Sequence, residues 1–230
     1  LSGLIHRKVA HGTKNFLCEP AMTREQAIRA LEVGVTLARE AVNDGIGLIG
    51  TGDMGIGNTT ASAAITAVMT GEPVSVVTGH GTGIDEAGLA RKVAVIEQAL
   101  NNRRPDAADP LDVLAKVGGL EIAGLAGLIL GGAACRRPVV LDGFISGAAA
   151  LIAAGLSPLC REYLIASHLS VERGHQAVYR KLGLRPLLDL DLRLGEGTGA
   201  CLAISLVHAA IKILTCMATF DEAGVSERLS

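Results

Sequence analysis

Apolar and polar positions alternate along the chain at spacings that predict helices joined by short strands. Between Ala21 and Asn43, small and apolar residues return every three or four positions, which is the spacing of one buried helix face. Thr23 with Gln26 three residues later has the pattern of a capping box. The helix is predicted to end between Asn43 and Gly45.

Short strands and further helices follow one another through the rest of the chain. The predicted strands are 46–50, 74–78, 138–141, 163–166 and 187–190. The predicted helices are 59–69, 85–101, 111–117, 120–134, 146–154 and 171–182, with a long last helix after the glycine-rich segment 195–199. This alternation predicts an α/β fold, a three-layer Rossmann-like parallel sheet flanked by helices. Ligands of such sheets bind at the carboxyl ends of the strands, where we expect the glycine-rich loops to lie.

The composition supports a large α/β domain and argues against several classes of function. Of the 230 residues, 49% are hydrophobic and 29 are glycine, so a sizeable core with closely packed layers is expected. A formal net charge of -2 and an aromatic content of 2% disfavour nucleic-acid binding, which needs a basic surface or stacking platforms. The apolar runs 120–135, 143–160 and 197–220 carry charges, proline or many small residues, and are predicted to be buried helices rather than membrane spans.

Cysteine and histidine positions predict neither disulfides nor a metal site. The five cysteines are scattered without a C-x-x-C pair, which is typical of reduced thiols in a cytoplasmic protein. His168 and His175 are seven residues apart, and His6 and His11 are five apart, so neither pair forms a convincing ligand set.

Two glycine-rich loops are candidate phosphate sites. The first contains Gly55, Gly57 and Asn58 and leads into a helix at Thr59, where backbone amides and the helix dipole favour an anion. It is neither a Walker loop nor a G-x-G-x-x-G fingerprint. A tight strand-to-helix turn explains the same glycines about equally well.

The second loop, at 79–83, repeats this pattern with Gly81 and Thr82. His80 could act as a base or bind phosphate, although such a histidine more often satisfies hydrogen bonds of its own loop. Lys92 could reach back from the next helix to an anionic ligand, whereas Arg91 fits a solvated helix face better.

Three acids and a serine could carry chemistry at strand ends or helix starts. Glu196 lies between glycines after an apolar stretch, where partial desolvation would suit a general base; capping the following helix is an equal alternative. Asp53 and Asp142 follow predicted strands, where they could bind ribose hydroxyls or substrate nitrogens, or simply form turns. Ser170 precedes a helix, so it could be an N-cap or hold a ligand carboxylate.

Taken in order, these motifs resemble the nicotinate-nucleotide–dimethylbenzimidazole phosphoribosyltransferase family. Each motif is weak by itself, but the ordered set is specific and covers essentially the whole chain. The matching segments are Met54 to Thr60, Gly79 to Gly83, Val117 to Gly124, Leu141 to Phe144, Ser167 to Glu172, Leu188 to Gly199, and Phe220 to Val225.

The resemblance implies a reaction, a base and a set of binding positions. Family members move the phosphoribosyl group of nicotinate mononucleotide to 5,6-dimethylbenzimidazole for the lower ligand of cobalamin. The products are α-ribazole 5′-phosphate and nicotinate, with inversion at the anomeric carbon. By resemblance Glu196 is the catalytic base, Leu194 packs on it, and no cofactor is needed. A homodimer is also implied.

The other positions implied by the resemblance bind the substrates. The loops around Gly55 and Gly81 match the phosphate-binding region, and Ser170 lies near the nicotinate carboxylate. The full set is Asp53, Gly55, Gly57, Asn58, Thr59, Gly81, Thr82, Lys92, Asp142, Ser170, Leu194 and Gly199.

Two departures from the family pattern qualify these expectations. Asp53 stands where members of the family carry Glu, so its contact to substrate or to the other carboxylate is expected to be weaker or lost. The chain begins with Leu1, and 7–20 resembles an internal family segment. We therefore expect 1–22 to belong to a truncated small domain that normally completes the benzimidazole pocket, and 23–230 to form the phosphoribosyltransferase domain.

Two other functions fit parts of the pattern. A non-catalytic relative that still binds the mononucleotide is favoured by Asp53 and by the late start. A nicotinamide-dinucleotide oxidoreductase is less favoured, because the strand predicted at 74–78 is followed by Gly79 and His80 rather than by an acid. Small-molecule substrates, and neither nucleic acid nor a membrane, are the expected partners.

Overall fold

The computed structural model describes residues 3–225, in which helices and short strands alternate. The helices are α1 Arg24–Asn43, α2 Thr59–Thr70, α3 Val74–Val77, α4 Glu86–Arg103, α5 Pro110–Val117, α6 Leu120–Ala134, α7 Phe144–Leu156, α8 Gly174–Leu182 and α9 Thr198–Cys216. The strands are β1 Ile49–Gly50, β2 Val139–Leu141, β3 Leu164–Ala166, β4 His168–Ser170 and β5 Leu188–Leu192, and a 3-10 helix spans Pro158–Tyr163.

All paired strands run parallel. β2 lies between β1 and β3, and β4 pairs with β5. A single residue, Ser167, separates β3 from β4, so one extended segment contacts β2 first and β5 afterwards. The three residues of β2 are fully buried between helices. Parallel strands flanked by helices confirm the predicted α/β class.

Helix α1 begins and ends where the sequence predicts. The Thr23 side chain accepts a hydrogen bond from the N–H of Gln26, and the Gln26 side chain accepts one from the N–H of Thr23. Both halves of the capping box are therefore present, which satisfies two otherwise unpaired donors. The buried face of α1 packs against α6 through small residues, chiefly Ala27, Ala30 and Gly34.

The segment before α1 lies against the same core. Val9 and Phe16 pack against the buried cluster, and the N–H groups of Ala21 and Met22 donate to backbone carbonyls at the end of α5. The boundary placed after residue 22 stays a prediction.

The strand predicted at 74–78 is wrong, because this segment forms the single helical turn α3. Val74 and Val77, three residues apart, are buried while Val76 is exposed, which is a helical rather than an alternating pattern. The hydroxyl and N–H of Thr78 both donate to the carbonyl of Val74 and close the turn. A short run of β-branched residues does not distinguish the two structures by periodicity. The second glycine-rich loop therefore follows a helix, not a strand.

Two other boundaries differ from the prediction. Residues 168–170 form the strand β4, and α8 begins at Gly174 rather than at 171. A turn between them is closed by the N–H of Glu172, which donates to the Ser170 hydroxyl. β1 contains only two residues, and Ile46 is exposed.

Helix α9 leaves the domain after its first turns. Gly199, Ala200 and Ala203 are buried, whereas most side chains from position 205 onward are exposed. Within residues 3–225, α9 is the one helix whose length and composition would allow it to cross a membrane. The prediction that 197–220 is a buried helix is therefore wrong for most of α9, because no described element covers its second half.

The contact between α1 and α6 gives a test of how close these helices must be. A Cβ at Gly127 would lie 1.9 Å from the carbonyl oxygen of Leu31, whereas one at Gly124 would meet only the carbonyl of Ala30, at 3.8 Å. Gly127→Ala should lower the free energy of unfolding by about 1–3 kcal/mol, because the helices must separate. Gly124→Ala should be neutral or raise it by up to ~1 kcal/mol through helix propensity. Urea denaturation of both variants measures these changes, and equal changes in the free energy of unfolding would contradict this packing.

His175 provides a second test, because it is a histidine without exposure inside the core. Its Nδ1 accepts a hydrogen bond from the N–H of Ser170 at 2.9 Å, and its ring lies 4.2 Å from that of Tyr179. Burial, with a smaller contribution from nearby His168, lowers the pKa of His175 from 6.5 to about 3. The neutral ring is therefore strongly preferred in the folded state.

Since the folded-state pKa lies below the unfolded one, stability from His175 is complete above pH 6.5 and is lost as the pH falls towards 3. At pH 5 the expected loss is about 2 kcal/mol. His175→Gln should remove this component, so its unfolding free energy should fall less between pH 7 and pH 5 than that of the parent. Identical pH dependence in urea titrations would show that His175 does not titrate this way.

Candidate functional site

A cavity of about 280 Å³ opens where the parallel strands end, as expected for this fold. Asp142 and Gly143 follow β2, His168 and Ser170 belong to β4, and the loop after β5 forms the opposite wall. Eight of the predicted site residues line it: Asp53, Gly55, Thr59, Gly81, Thr82, Asp142, Ser170 and Leu194.

A second cavity, of about 590 Å³, adjoins the first. The two share Asp53, Met54 and Gly55, and the second also contains Gly57 and Asn58. Its far wall includes Glu121 at the start of α6. The first glycine-rich loop therefore contributes to the walls of both cavities.

Asp53 is engaged mainly by its own loop. Its Oδ1 accepts hydrogen bonds from the N–H of Gly55 at 2.7 Å and from Nδ2 of Asn58 at 2.8 Å. Nδ2 of Asn58 also lies 3.3 Å from Oε1 of Glu121. Asn58 is the N-cap of α2, but its side chain makes no capping bond. The N–H groups in the first turn of α2 therefore have no hydrogen bond from this side chain.

Lys92 reaches back from α4 to the glycine-rich loops. Its Nζ donates to Oγ1 of Thr59 at 2.9 Å and to the carbonyl of Gly79 at 3.1 Å. Burial lowers the pKa of Lys92, and the charge of Glu172 opposes that shift. Neighbouring Arg91 is exposed, which agrees with the interpretation of a solvated helix face. His80 lies 3.1 Å from the carboxylate of Glu86, so its Nε2 is directed at α4.

Glu196 sits in a sharply bent loop before α9. Gly195, Glu196 and Gly197 have φ of 74°, 58° and 80°, three successive left-handed residues. The N–H of Glu196 donates to the carbonyl of Asp53 at 2.7 Å, which joins this loop to the first glycine-rich loop. The expected desolvation is not present, since Glu196 is exposed and Leu194 beside it is 63% exposed. Glu196 itself is not among the residues that line this cavity, although the two residues before it, Leu194 and Gly195, are.

The N-terminal N–H groups of α9 are satisfied by Asp142, not by Glu196. Oδ1 of Asp142 accepts from Gly199 at 2.8 Å and from Ala200 at 3.2 Å, and Oδ2 accepts from Gly197 at 3.1 Å. Glu196 precedes the N-cap Gly197 and makes no capping bond. The alternative that Glu196 caps the helix is therefore wrong, because a buried carboxylate already occupies that position.

His168 is a site residue that the sequence did not single out. It is 2% exposed and lines the cavity, and its Nδ1 lies 3.0 Å from the Ser167 hydroxyl. That hydroxyl donates to the carbonyl of Asp142, so it accepts from Nδ1–H and leaves Nε2 as an acceptor. Burial lowers the pKa of His168, with Asp142 opposing, which favours the neutral ring. In the sequence, the adjacent Ser167 and His168 at the end of a buried strand were the signal that could have identified this site residue.

Gly199 and Ser170 flank this histidine. A Cβ at Gly199 would lie 1.9 Å from Nδ1 of His168, so the first turn of α9 rests directly on the ring. Ser170 is not an N-cap, because α8 has its N-cap at Arg173. Within residues 3–225, no three His, Cys, Asp or Glu side chains are grouped as metal ligands.

Comparison with known proteins identifies the fold and its relatives. A model described as phosphoribosyltransferase matches residues 1–225. The chain is 64% identical over 225 residues to nicotinate-nucleotide–dimethylbenzimidazole phosphoribosyltransferase of Chloroflexus aggregans, covering 98% of this chain and 64% of that protein. Identity to the protein of the same name from Geobacter sulfurreducens is 63%, with the same coverage.

A solved structure of a relative has the same fold as this chain. The crystal structure of CobT from Thermus thermophilus has a TM-score of 0.94 and 52% identity, covering 99% of this chain and 68% of that one. The chain thus spans somewhat less than two thirds, 64%, of the length of the curated relatives it matches. With a family match along nearly its whole length and relatives of this identity, the chain belongs to the nicotinate-nucleotide–dimethylbenzimidazole phosphoribosyltransferase family.

Proposed function

We propose that this protein transfers the phosphoribosyl group of nicotinate mononucleotide to 5,6-dimethylbenzimidazole, with Glu196 as the general base. The observation that carries the proposal is the hydrogen bond that joins the Glu196 loop to the first glycine-rich loop. The N–H of Glu196 bonds to the carbonyl of Asp53, so the backbone of the candidate base lies against the loop that leads into α2. The names of the relatives supply the two substrates.

The chemistry needs positioning and one base. The benzimidazole nitrogen attacks the anomeric carbon while the bond from that carbon to the pyridinium nitrogen breaks. Its electron pair stays on the departing nicotinate, whose ring becomes neutral, so no acid is required. The remaining N–H proton of the benzimidazole passes to Glu196. Glu196 is exposed beside the cavity-lining Gly195, so its carboxylate is accessible to that proton.

Loop amides and one cation are suited to the phosphate. The first turn of α2, with Thr59 on the cavity wall, directs N–H groups and the positive end of the helix dipole at the space. Lys92 lies behind Thr59 and adds a positive charge without a metal. Gly81 and Thr82 close the same side of the cavity.

An apolar rim is suited to the benzimidazole. Leu194 and Met54 line the cavity and are 63% and 66% exposed, and Ile56 on the adjoining wall is 71% exposed. A flat aromatic base placed against these side chains would cover apolar surface and present its N–H to Glu196.

A non-catalytic, mononucleotide-binding relative is the second candidate. The observation that favours it is the position of Asp53, whose Oδ1 accepts both bonds from its own loop. A shorter acid held in this way is less able to help a substrate or the second carboxylate than a glutamate would be. Binding of the mononucleotide without turnover would distinguish such a non-catalytic relative from an active transferase.

Nicotinate release tests the base directly. Mixed with both substrates, the chain should release nicotinate only when the benzimidazole is present, and Glu196→Gln should be slower by ~100-fold or more, because the amide cannot take the proton. Glu162→Gln, at an exposed position of the 3-10 helix, is the matched control and should retain the parental rate. Chromatography of nicotinate gives the readout.

The other outcomes separate the candidates. Mononucleotide binding without nicotinate release, measured by calorimetry, would support the non-catalytic relative. A parental rate in Glu196→Gln would remove Glu196 as the base. Neither binding nor release would exclude both functions for this chain.

A homodimer in the cytoplasm belongs to the same proposal. The five cysteines are unpaired thiols, which suits a reducing compartment. The exposed part of α9 carries Leu206, Ile211, Ile213 and Leu214 and few charges, a surface that favours association with a second copy.

Light scattering after gel filtration tests the assembly. The parent should have the mass of two chains, and Leu206→Glu with Leu214→Glu should give one chain, since two charges cannot be buried unpaired in an apolar interface. Leu159→Glu is the matched control, because Leu159 is 76% exposed on the 3-10 helix, away from α9. A monomeric parent, or a dimer that survives both charges, would contradict the proposal.

A further inference from the structure

Asp142 has a buried carboxylate that is aimed at the backbone of the Glu196 loop. The side chain lines the cavity at the end of β2, yet the residue is only 2% exposed. Three backbone N–H groups, from Gly197, Gly199 and Ala200, donate to its two oxygens at 2.8–3.2 Å. We infer that Asp142 is a positioning residue that holds the loop of the base Glu196, an inference that rests on the proposed function.

The loop needs such a restraint because its conformation is unfavourable by itself. Glu196 has φ of 58°, a left-handed conformation that residues with a Cβ rarely adopt, between two glycines that are also left-handed. Such a conformation persists only where surrounding contacts impose it. The bonds from Gly197 and Gly199 to Asp142 begin directly after Glu196 and fix the chain as it enters α9.

Asp142 is itself held by the sheet. Its N–H donates to Oγ1 of Thr51 at 3.0 Å, and that hydroxyl donates to the carbonyl of Val140 at 3.2 Å. The N–H of Thr51 also bonds to Val140, so the ends of β1 and β2 are fixed to one another. A continuous set of hydrogen bonds therefore runs from the buried strands to the residue after the base.

Charge complementarity makes the carboxylate suited to this place. The N-terminus of α9 carries partial positive charge, and a buried anion is stabilised there by the dipole and by charge-assisted bonds from the amides. A carboxylate offers about four acceptor positions, and three are occupied by backbone donors. Little capacity remains for a substrate hydroxyl, which distinguishes positioning from substrate binding.

Amide exchange tests the restraint without requiring turnover. In Asp142→Asn one acceptor oxygen becomes a donor and the charge is lost, so the amides of residues 197, 199 and 200 should exchange at least ~10-fold faster by NMR or mass spectrometry. Amides of α6 should be unchanged, which shows that the fold is intact. Asp44→Asn, at an exposed position after α1, is the matched control. Unchanged exchange in the loop would overturn the inference.

Kinetics test whether the restraint acts through Glu196. Asp142→Asn should lower kcat by ~10-fold or more with KM for nicotinate mononucleotide changed less than ~3-fold. In the Glu196→Gln background the same substitution should have almost no further effect, because there is no base left to position. A rise in KM at unchanged kcat, or effects that simply multiply, would identify a substrate ligand or a general structural residue instead.

A milder variant covers the case in which Asp142→Asn does not fold. Thr51→Val removes the hydroxyl that holds the Asp142 backbone while keeping the size of the side chain, and should show the same faster exchange of the 197–200 amides to a smaller extent. Parental exchange in Thr51→Val would overturn the link to the sheet. If the parent releases no nicotinate, the proposed function fails, and the exchange experiment still decides whether Asp142 holds the loop.

Discussion

A buried carboxylate at the start of one helix ties the site of this protein to its core. Asp142 follows the fully buried strand β2 and accepts three backbone N–H groups at the beginning of α9. Because the residue is only 2% exposed, the cost of desolvating its carboxylate is offset by those bonds and by the helix dipole. The strand, the helix and the loop of Glu196 must therefore keep one relative placement, and the cavity exists between them.

Close approach of backbones is the second constraint, and it explains the composition. Helices α1 and α6 touch backbone to backbone at Gly127, and α9 rests on the ring of His168 at Gly199, where a methyl group has no room. Glycine and alanine at these contacts allow the layers to pack closely with little loss of side-chain entropy. Larger apolar residues fill the core, and others are exposed beside the cavity and on α9, among them Leu194 and Leu214. Covering these two exposed apolar surfaces, one by a ligand and the other by a second chain, would contribute the most hydrophobic binding free energy.

Several features were determined by local sequence. The capping box of Thr23 and Gln26, the bounds of α1 and α2, and the α/β class depend on short-range periodicity and on hydrogen bonds within a few residues. The ordered motifs were also enough to identify the family, because their combination is specific although each is weak. Segment 74–78 shows the limit of this approach, since the four residues of Val74–Val77, three of them β-branched, fit one helical turn as well as a strand.

Roles that depend on distant partners were decided only by the tertiary structure. Glu196 was an equal candidate for capping α9 or for chemistry, and Asp142 for binding substrate or forming a turn. That Asp142 is the residue that caps α9 follows from bonds that span 55 to 58 residues. His168 was missed because its tautomer and burial come from Ser167 and α9, not from its spacing to other histidines. Periodicity describes which face of an element is apolar, but which neighbour covers that face is fixed by packing. Local sequence therefore determined most of the elements and the family of this protein, and long-range contacts decided which of its polar groups are bound to the backbone and which are exposed.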